Sequence, residues 1–253
     1  MARFDYRQTE TLATPGGRWR QWLYERPQMP YILPFFVFVL VMLPSAFGHV
    51  GGMDWEKLWH DWLPALYPLK TVLAALLLWY FWPWYTRIFW GKLGLGVIFG
   101  LVGTVLWIGT ELLCQKLGLS VKPDAASLYN PDVMLGGGWK EWLFLCVRVA
   151  GPALVVPIME ELFFRDFLMR ALVRGSRYDE VPVGTFTWLS LLGMSVLFGL
   201  NHGRMFVAGV AYGLLMGVLV IRTKSLGACI VAHGVTNWTL YLYVIYAGDW
   251  QFM

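Results

Sequence analysis

The sequence predicts an all-α, polytopic membrane bundle of about seven to eight transmembrane helices. Three observations carry this. Only 14% of the 253 residues are charged and 58% are hydrophobic, whereas a soluble domain carries about 25% charged residues. Mean hydropathy is +0.54. Apolar runs long enough to cross a bilayer, roughly 17–25 residues, recur along the chain. The net charge of +4 is too small to argue for a nucleic-acid partner. The partner that composition implies is the lipid bilayer.

Taken in order, residues 1–30 form a polar, Arg-bearing tail, 31–247 one transmembrane domain, and 248–253 a short C-terminal tail. The tail lacks an apolar stretch followed by a small-residue cleavage site, so no cleaved signal peptide is expected. The first anchor is read at 31–49. Residues 54–63 place Trp55, Leu58, Trp59 and Trp62 on one helical face with charges opposite, the pattern of an interfacial amphipathic helix. The 66–85 span ends in an aromatic belt of Trp79, Tyr80, Trp82, Trp84 and Tyr85. In the 93–114 span Gly96 and Gly100 fall four apart, as do Gly209, Gly213 and Gly217 in the 205–221 span. Small residues on one face let helices approach closely, so 205–221 is expected in the middle of the bundle. Between these lie 141–158 and 159–174, read either as one helix broken at Gly151-Pro152 and Pro157 or as two short segments. The remaining spans are 186–201 and 226–247. Cys114, Cys146 and Cys229 all lie in apolar runs without metal-binding spacing and are read as small buried side chains.

Short loops set orientation through their Lys and Arg. Arg87 and Lys92, then Arg170, Arg174 and Arg177, then Arg222 and Lys224 fall in alternate loops, and the N-terminal tail adds five arginines. The N-terminus is therefore expected in the cytoplasm, and the compact chain fits a prokaryotic inner membrane. Counting 141–174 as one crossing has a consequence. It puts Glu160 toward the cytoplasmic side and His202 toward the outer side, unless 141–174 is re-entrant or the spans tilt strongly.

The chemistry lies in the second half, in a core at about 141–240. Glu160 and Glu161 stand side by side in an apolar stretch, where each acid at a helix centre costs roughly 2.5 to 3.5 kcal/mol to insert. On a helix Glu161 pairs with Arg165 at i,i+4, while Glu160 points about 100° away. One acid is then neutralised and the other is free for general-base work. The bland alternative is that both acids are paired, with arginines such as Arg165 and Arg148. His202 ends Phe198-Gly199-Leu200-Asn201-His202, and alone such a residue is more often an interfacial or hydrogen-bonded histidine. His233 and Asn237 are i,i+4 on one helix, and alone they fit an interhelical hydrogen-bond pair. Gly234 beside them leaves room for backbone or substrate.

Glu-Glu-x-x-x-Arg, Phe-x-x-x-His and His-x-x-x-Asn, in that order, resemble the CPBP family of intramembrane proteases, the CAAX-prenyl-protease and bacteriocin-processing or Abi family. The resemblance covers roughly 141–240. It implies a helical endopeptidase that hydrolyses a peptide bond in a membrane-embedded or membrane-anchored peptide or protein, CAAX-type and prenylated in the family's name. It implies Glu160 as the catalytic glutamate and His202 as its assistant in activating water. His233 and Asn237 would polarise the scissile carbonyl and stabilise the oxyanion, and Glu161 and Arg165 would support the site. Asp166 departs from the family, whose members often carry Gly there. Two His and one Glu could ligate zinc, but His-Glu-x-x-His is absent. A glutamate-activated water with no cofactor is favoured, with zinc as the alternative. Two other functions compete: a non-catalytic binding or immunity protein on the same fold, and a proton or ion transporter, which would need matching polar chemistry in both halves.

Overall fold

Inside a bilayer an apolar chain must satisfy its backbone internally, and helix is the local way to do so. The computed structural model describes residues 15–41, 49–50, 53–123, 128, 130–131 and 135–252. Among them the order is α1 (Pro15–Glu25), α2 (Met29–Leu40), β1 (His49–Val50), β2 (Met53–Asp54), α3 (Trp55–Phe81), α4 (Leu93–Lys116), α5 (Trp139–Ala150), α6 (Val156–Glu161), α7 (Met169–Arg174), α8 (Trp188–Asn201), α9 (Phe206–Thr223) and α10 (Leu226–Ala247). The strands form only a two-residue antiparallel pair, His49 opposite Asp54 and Val50 opposite Met53. Among the described residues five helical stretches are long and apolar enough to cross a membrane: Pro64–Trp84, Leu93–Lys116, Trp139–Glu180, Gly203–Thr223 and Leu226–Ala247. The apolar helices α2 and α8 are shorter. The polytopic all-α bundle expected from composition is the fold observed. Leu76, Trp79, Val105 and Leu189 are among many large exposed side chains that a lipid environment would cover.

Part of the first expected anchor, 42–48, lies outside the described residues. So do the side chains of 53–61 and 63, so the amphipathic face of 54–63 is visible only as the helical start of α3. Cys114 and Cys229 are buried, but Cys146 is exposed. The reason is register. α5 buries Glu141, Phe144, Leu145, Arg148 and Val149, a stripe spaced i, i+3, i+4, i+7 and i+8, and position 146 falls outside it.

The 141–174 region forms one helical passage. π-turns at Gly151–Val155 and Leu162–Leu168 join α5, α6 and α7 without a break. In the first, the Val156 amide donates to Gly151 O, five residues back. The next bond in that register would reach Pro152 O from residue 157, but Pro157 has no N–H. Asn237 of α10 supplies the donor instead, its Nδ2 lying 2.8 Å from Pro152 O. Gly234, one turn earlier, permits the approach, since a Cβ there would sit 2.8 Å from Ala153 O. The second π-turn packs on α2 through stacked Phe163 and Phe35, with ring centroids 4.1 Å apart.

Glycine contacts hold the remaining helices. Cβ atoms at Gly96 and Gly100 of α4 would each meet a carbonyl of α10, Ala228 O and Ala232 O, at 2.6 Å. Gly209 and Gly213 of α9 meet the Gly199 and Ser195 backbone of α8 in the same way. Thr236 Oγ donates to Gly100 O at 2.8 Å and receives the Tyr212 hydroxyl at 3.1 Å, so α4, α9 and α10 share one hydroxyl network. We expect Gly100→Ala to cost about 1–3 kcal/mol, because the contact is with rigid backbone and overpacking forces it apart. Thermal unfolding in detergent checks this, and an unchanged midpoint would contradict so close a packing of α4 on α10.

The loops sort to two ends. Ser225 Oγ donates to Phe89 O at 2.8 Å, and Lys224 Nζ donates to Gly184 O at 2.6 Å. Tyr178 donates to Pro27 O at 2.8 Å. These bonds gather Pro27 and the 85–92, 174–187 and 222–225 loops at one end, the basic end. The opposite end holds the end of α4, the start of α5, the 203–205 turn and residues 248–252.

Candidate active site

Glu160 and Glu161 close α6, and the helical rotation between them sends their carboxylates to different surroundings. Glu161 is fully buried and takes the Arg165 guanidinium at 3.0 Å. Arg165 is itself fully buried and lies 4.5 Å over the Phe198 ring. Glu160 is 5% exposed and lines a cavity of about 400 Å³. His202, His233 and Asn237 line the same cavity. The four residues singled out as chemical in the sequence thus share one space, although they come from three separate helical regions.

That convergence removes the conflict of depth. Glu160 lies fourteen residues before Arg174 and His202 fifteen after Thr187, on the two arms of an antiparallel hairpin. At 1.5 Å per residue both lie roughly 21–22 Å from the basic end. The expected mismatch came from assuming that the passage begins at the membrane border near 141. No re-entrant segment is needed.

The ring nitrogens can be assigned from their partners. His233 Nδ1 is 2.8 Å from Glu161 Oε1. A carboxylate accepts, so Nδ1 carries the hydrogen and Nε2 is turned toward Glu160 Oε2, 3.9 Å away. His202 Nδ1 is 2.8 Å from Phe198 O, and a carbonyl also only accepts. In its neutral form His202 therefore presents a lone pair at Nε2. Aromatic rings fix both imidazoles: Trp107 edges His202 at 4.9 Å, and Tyr212 edges His233 at 5.6 Å. Asn237 spends one N–H on Pro152 O and keeps the rest of its amide available. Among the described residues, Glu160 Oε2 and Glu161 Oε2 are buried without a hydrogen-bond partner.

Two cavity residues were missed as members of a site. Lys70 Nζ lies 4.2 Å over Phe38 and 4.4 Å over Tyr67, and the Arg148 guanidinium lies 4.2 Å over the same Tyr67 ring. Both line the cavity. The signal was present, since a cation inside an apolar span is costly in the same way as an acid. The alternative in which Arg148 neutralises a glutamate is corrected: among the described residues its guanidinium sits on Tyr67, and the arginine paired with Glu161 is Arg165. Asp166, the departure from the family pattern, is fully buried and ion-paired with Arg170. Arg170 Nε also donates to Val181 O at 2.6 Å, tying this passage to the basic end.

Among the described residues no three His, Cys, Asp or Glu side chains are grouped to hold a metal ion. Glu161 is committed to Arg165 and His233, which leaves His202 Nε2, His233 Nε2 and Glu160 as the donors that face the cavity.

One cavity in this helical bundle thus gathers acid, imidazole and amide groups, the donor set of a hydrolytic site. Residues 141–239 match the family model described as type II CAAX prenyl endopeptidase Rce1-like. This segment is similar to that family, as the ordered motifs indicated. No curated protein and no solved structure matches the chain.

Proposed function

We propose that the protein is an intramembrane endopeptidase in which Glu160 and His202 activate a water against a peptide bond of a membrane-associated substrate. The observation that carries this reading is the shared cavity: a buried carboxylate with a partnerless oxygen, facing an imidazole whose Nδ1 is fixed by Phe198 O. Glu160 takes the proton as the water oxygen bonds to the scissile carbonyl carbon, and His202 Nε2 accepts the second water hydrogen as a positioning bond. The carbonyl oxygen becomes an oxyanion. Asn237, through its remaining N–H, stabilises it, as does His233 when Nε2 is protonated. Glu161 stabilises that imidazolium through Nδ1. Glu160 then returns its proton to the departing amine as the C–N bond breaks.

The charge pattern supports a cytoplasmic N-terminus. The acid, imidazole and amide groups of the cavity all come from the second half, and the first half adds Lys70 but no matching set, which weighs against a transporter. The test is hydrolysis by purified protein in nanodiscs, using prenylated and unprenylated fluorogenic peptides with products identified by mass. We expect cleavage that persists under 1,10-phenanthroline. Loss of cleavage with the chelator, restored by zinc, would replace the metal-free mechanism. Tight peptide binding with no product would favour the binding-protein reading.

A further inference from the structure

The cavity has a side. Its lining includes Arg204 and Met205 from the 203–205 turn and Gln251 and Phe252 after α10, all at the end opposite the basic loops. No residue of the 85–92, 174–187 or 222–225 loops lines it. Depth alone does not choose a side: Glu160 and His202 lie roughly 21–22 Å from the basic end, but His233, which follows Ser225 by eight residues on α10, lies only about 12 Å from it, so the site sits near the middle of a hydrocarbon core about 30 Å thick.

Loop charge then fixes which side that is. Among described residues, the basic end carries Arg18, Arg20 and Arg26 in the tail and Arg87, Lys92, Arg174, Arg177, Arg222 and Lys224 in its loops. The opposite end carries Lys57, Lys116, Lys122, Lys140 and Arg204. Nine against five is a bias toward the first end, and Lys and Arg near span ends are retained on the cytoplasmic side. Arg204 at the rim is moreover partly offset by Glu111, 3.5 Å away, and its Nη2 donates to Gln251 O at 2.6 Å.

We infer that the catalytic cavity opens on the extracytoplasmic face and takes peptide segments of exported or membrane-inserted proteins presented from that side. This rests on the protease reading for its substrate, but not for its geometry. A C-terminus lipidated in the cytoplasm would approach from the basic end, whose loops contribute no residue to the cavity lining. An exported segment approaches from the end whose turn and C-terminal residues do line it.

The experiment uses the full chain in bacterial inner membrane, with exposed Cys146 replaced by Ser. Single cysteines are introduced as Arg204→Cys or Asp249→Cys at the rim and Arg87→Cys at the basic end. A membrane-impermeant maleimide is applied to spheroplasts and to inverted vesicles. We expect positions 204 and 249 to label in spheroplasts and position 87 only in inverted vesicles, each at least tenfold over the opposite preparation. The reverse pattern, or equal labelling from both sides, overturns the inference. Two rim positions guard against one substitution disturbing the fold. In parallel, a charged fluorogenic peptide unable to cross membranes is added to right-side-out and inverted vesicles. Cleavage confined to the right-side-out preparation supports the assignment, and cleavage confined to inverted vesicles refutes it. If neither preparation cleaves while the labelling holds, the protease reading fails and the sidedness stands.

Discussion

Glu160→Gln is expected to reduce peptide hydrolysis by about 10²- to 10⁴-fold, the contribution of a positioned general base, while leaving the folded protein intact. Glutamine keeps the size and one acceptor oxygen but cannot take a proton from water. Glu160 sits at the cavity wall, apart from the Glu161–Arg165 pair, so little packing depends on its charge. Steady-state rates in nanodiscs, with thermal unfolding as the control for folding, decide the matter. Retained activity would remove Glu160 from the reaction, and retained biological function in an inactive variant would favour the binding-protein reading. A transporter would lose ion flux without ever having shown a proteolytic product.

Arg165→Met is expected to act on the fold instead, lowering stability by about 3–5 kcal/mol. Removing one partner of a buried ion pair leaves the other charge uncompensated. Here the stranded group is Glu161, fully buried and already bonded to His233 Nδ1. The damage should extend to His233, whose ring direction depends on that carboxylate. Adding Glu161→Gln removes the stranded charge, so the double variant should recover part of the lost stability. That non-additivity is the signature of a direct pair. Thermal unfolding of the two single variants and the double variant measures it, and strictly additive losses would mean that the two residues act separately.

The residues that found the site in the sequence were those whose presence in lipid needs a reason. Glu160, Glu161, His202, His233 and Asn237 stood out because a polar group in hydrocarbon is expensive. Lys70 and Arg148 met the same criterion and were passed over, because a cation near a span end reads as snorkelling or pairing until its surroundings are known. The 141–174 region was ambiguous for a different reason. Pro152 and Pro157 look like helix breakers when only local hydrogen bonding is considered. In the fold, Asn237 from another helix serves the carbonyl that Pro157 cannot, and the passage stays helical. Asp166 looked like an intruder and has its own partner one turn on, Arg170.

By itself the sequence determined the class of fold, the order of the spans, the i,i+4 pairing of Glu161 with Arg165 and the separation of Glu160 from it. These follow from composition and from the 3.6-residue period, which are local. Only the tertiary structure decided that His202 lies at the depth of Glu160, that Glu161 and not Glu160 holds His233 by a direct hydrogen bond, and that Cys146 faces outward. It also placed the cavity at the end away from the basic loops. Such relations join residues as far apart as 161 and 233. They depend on how closely glycine-bearing helices approach and where π-turns shift the register, and no local pattern encodes either.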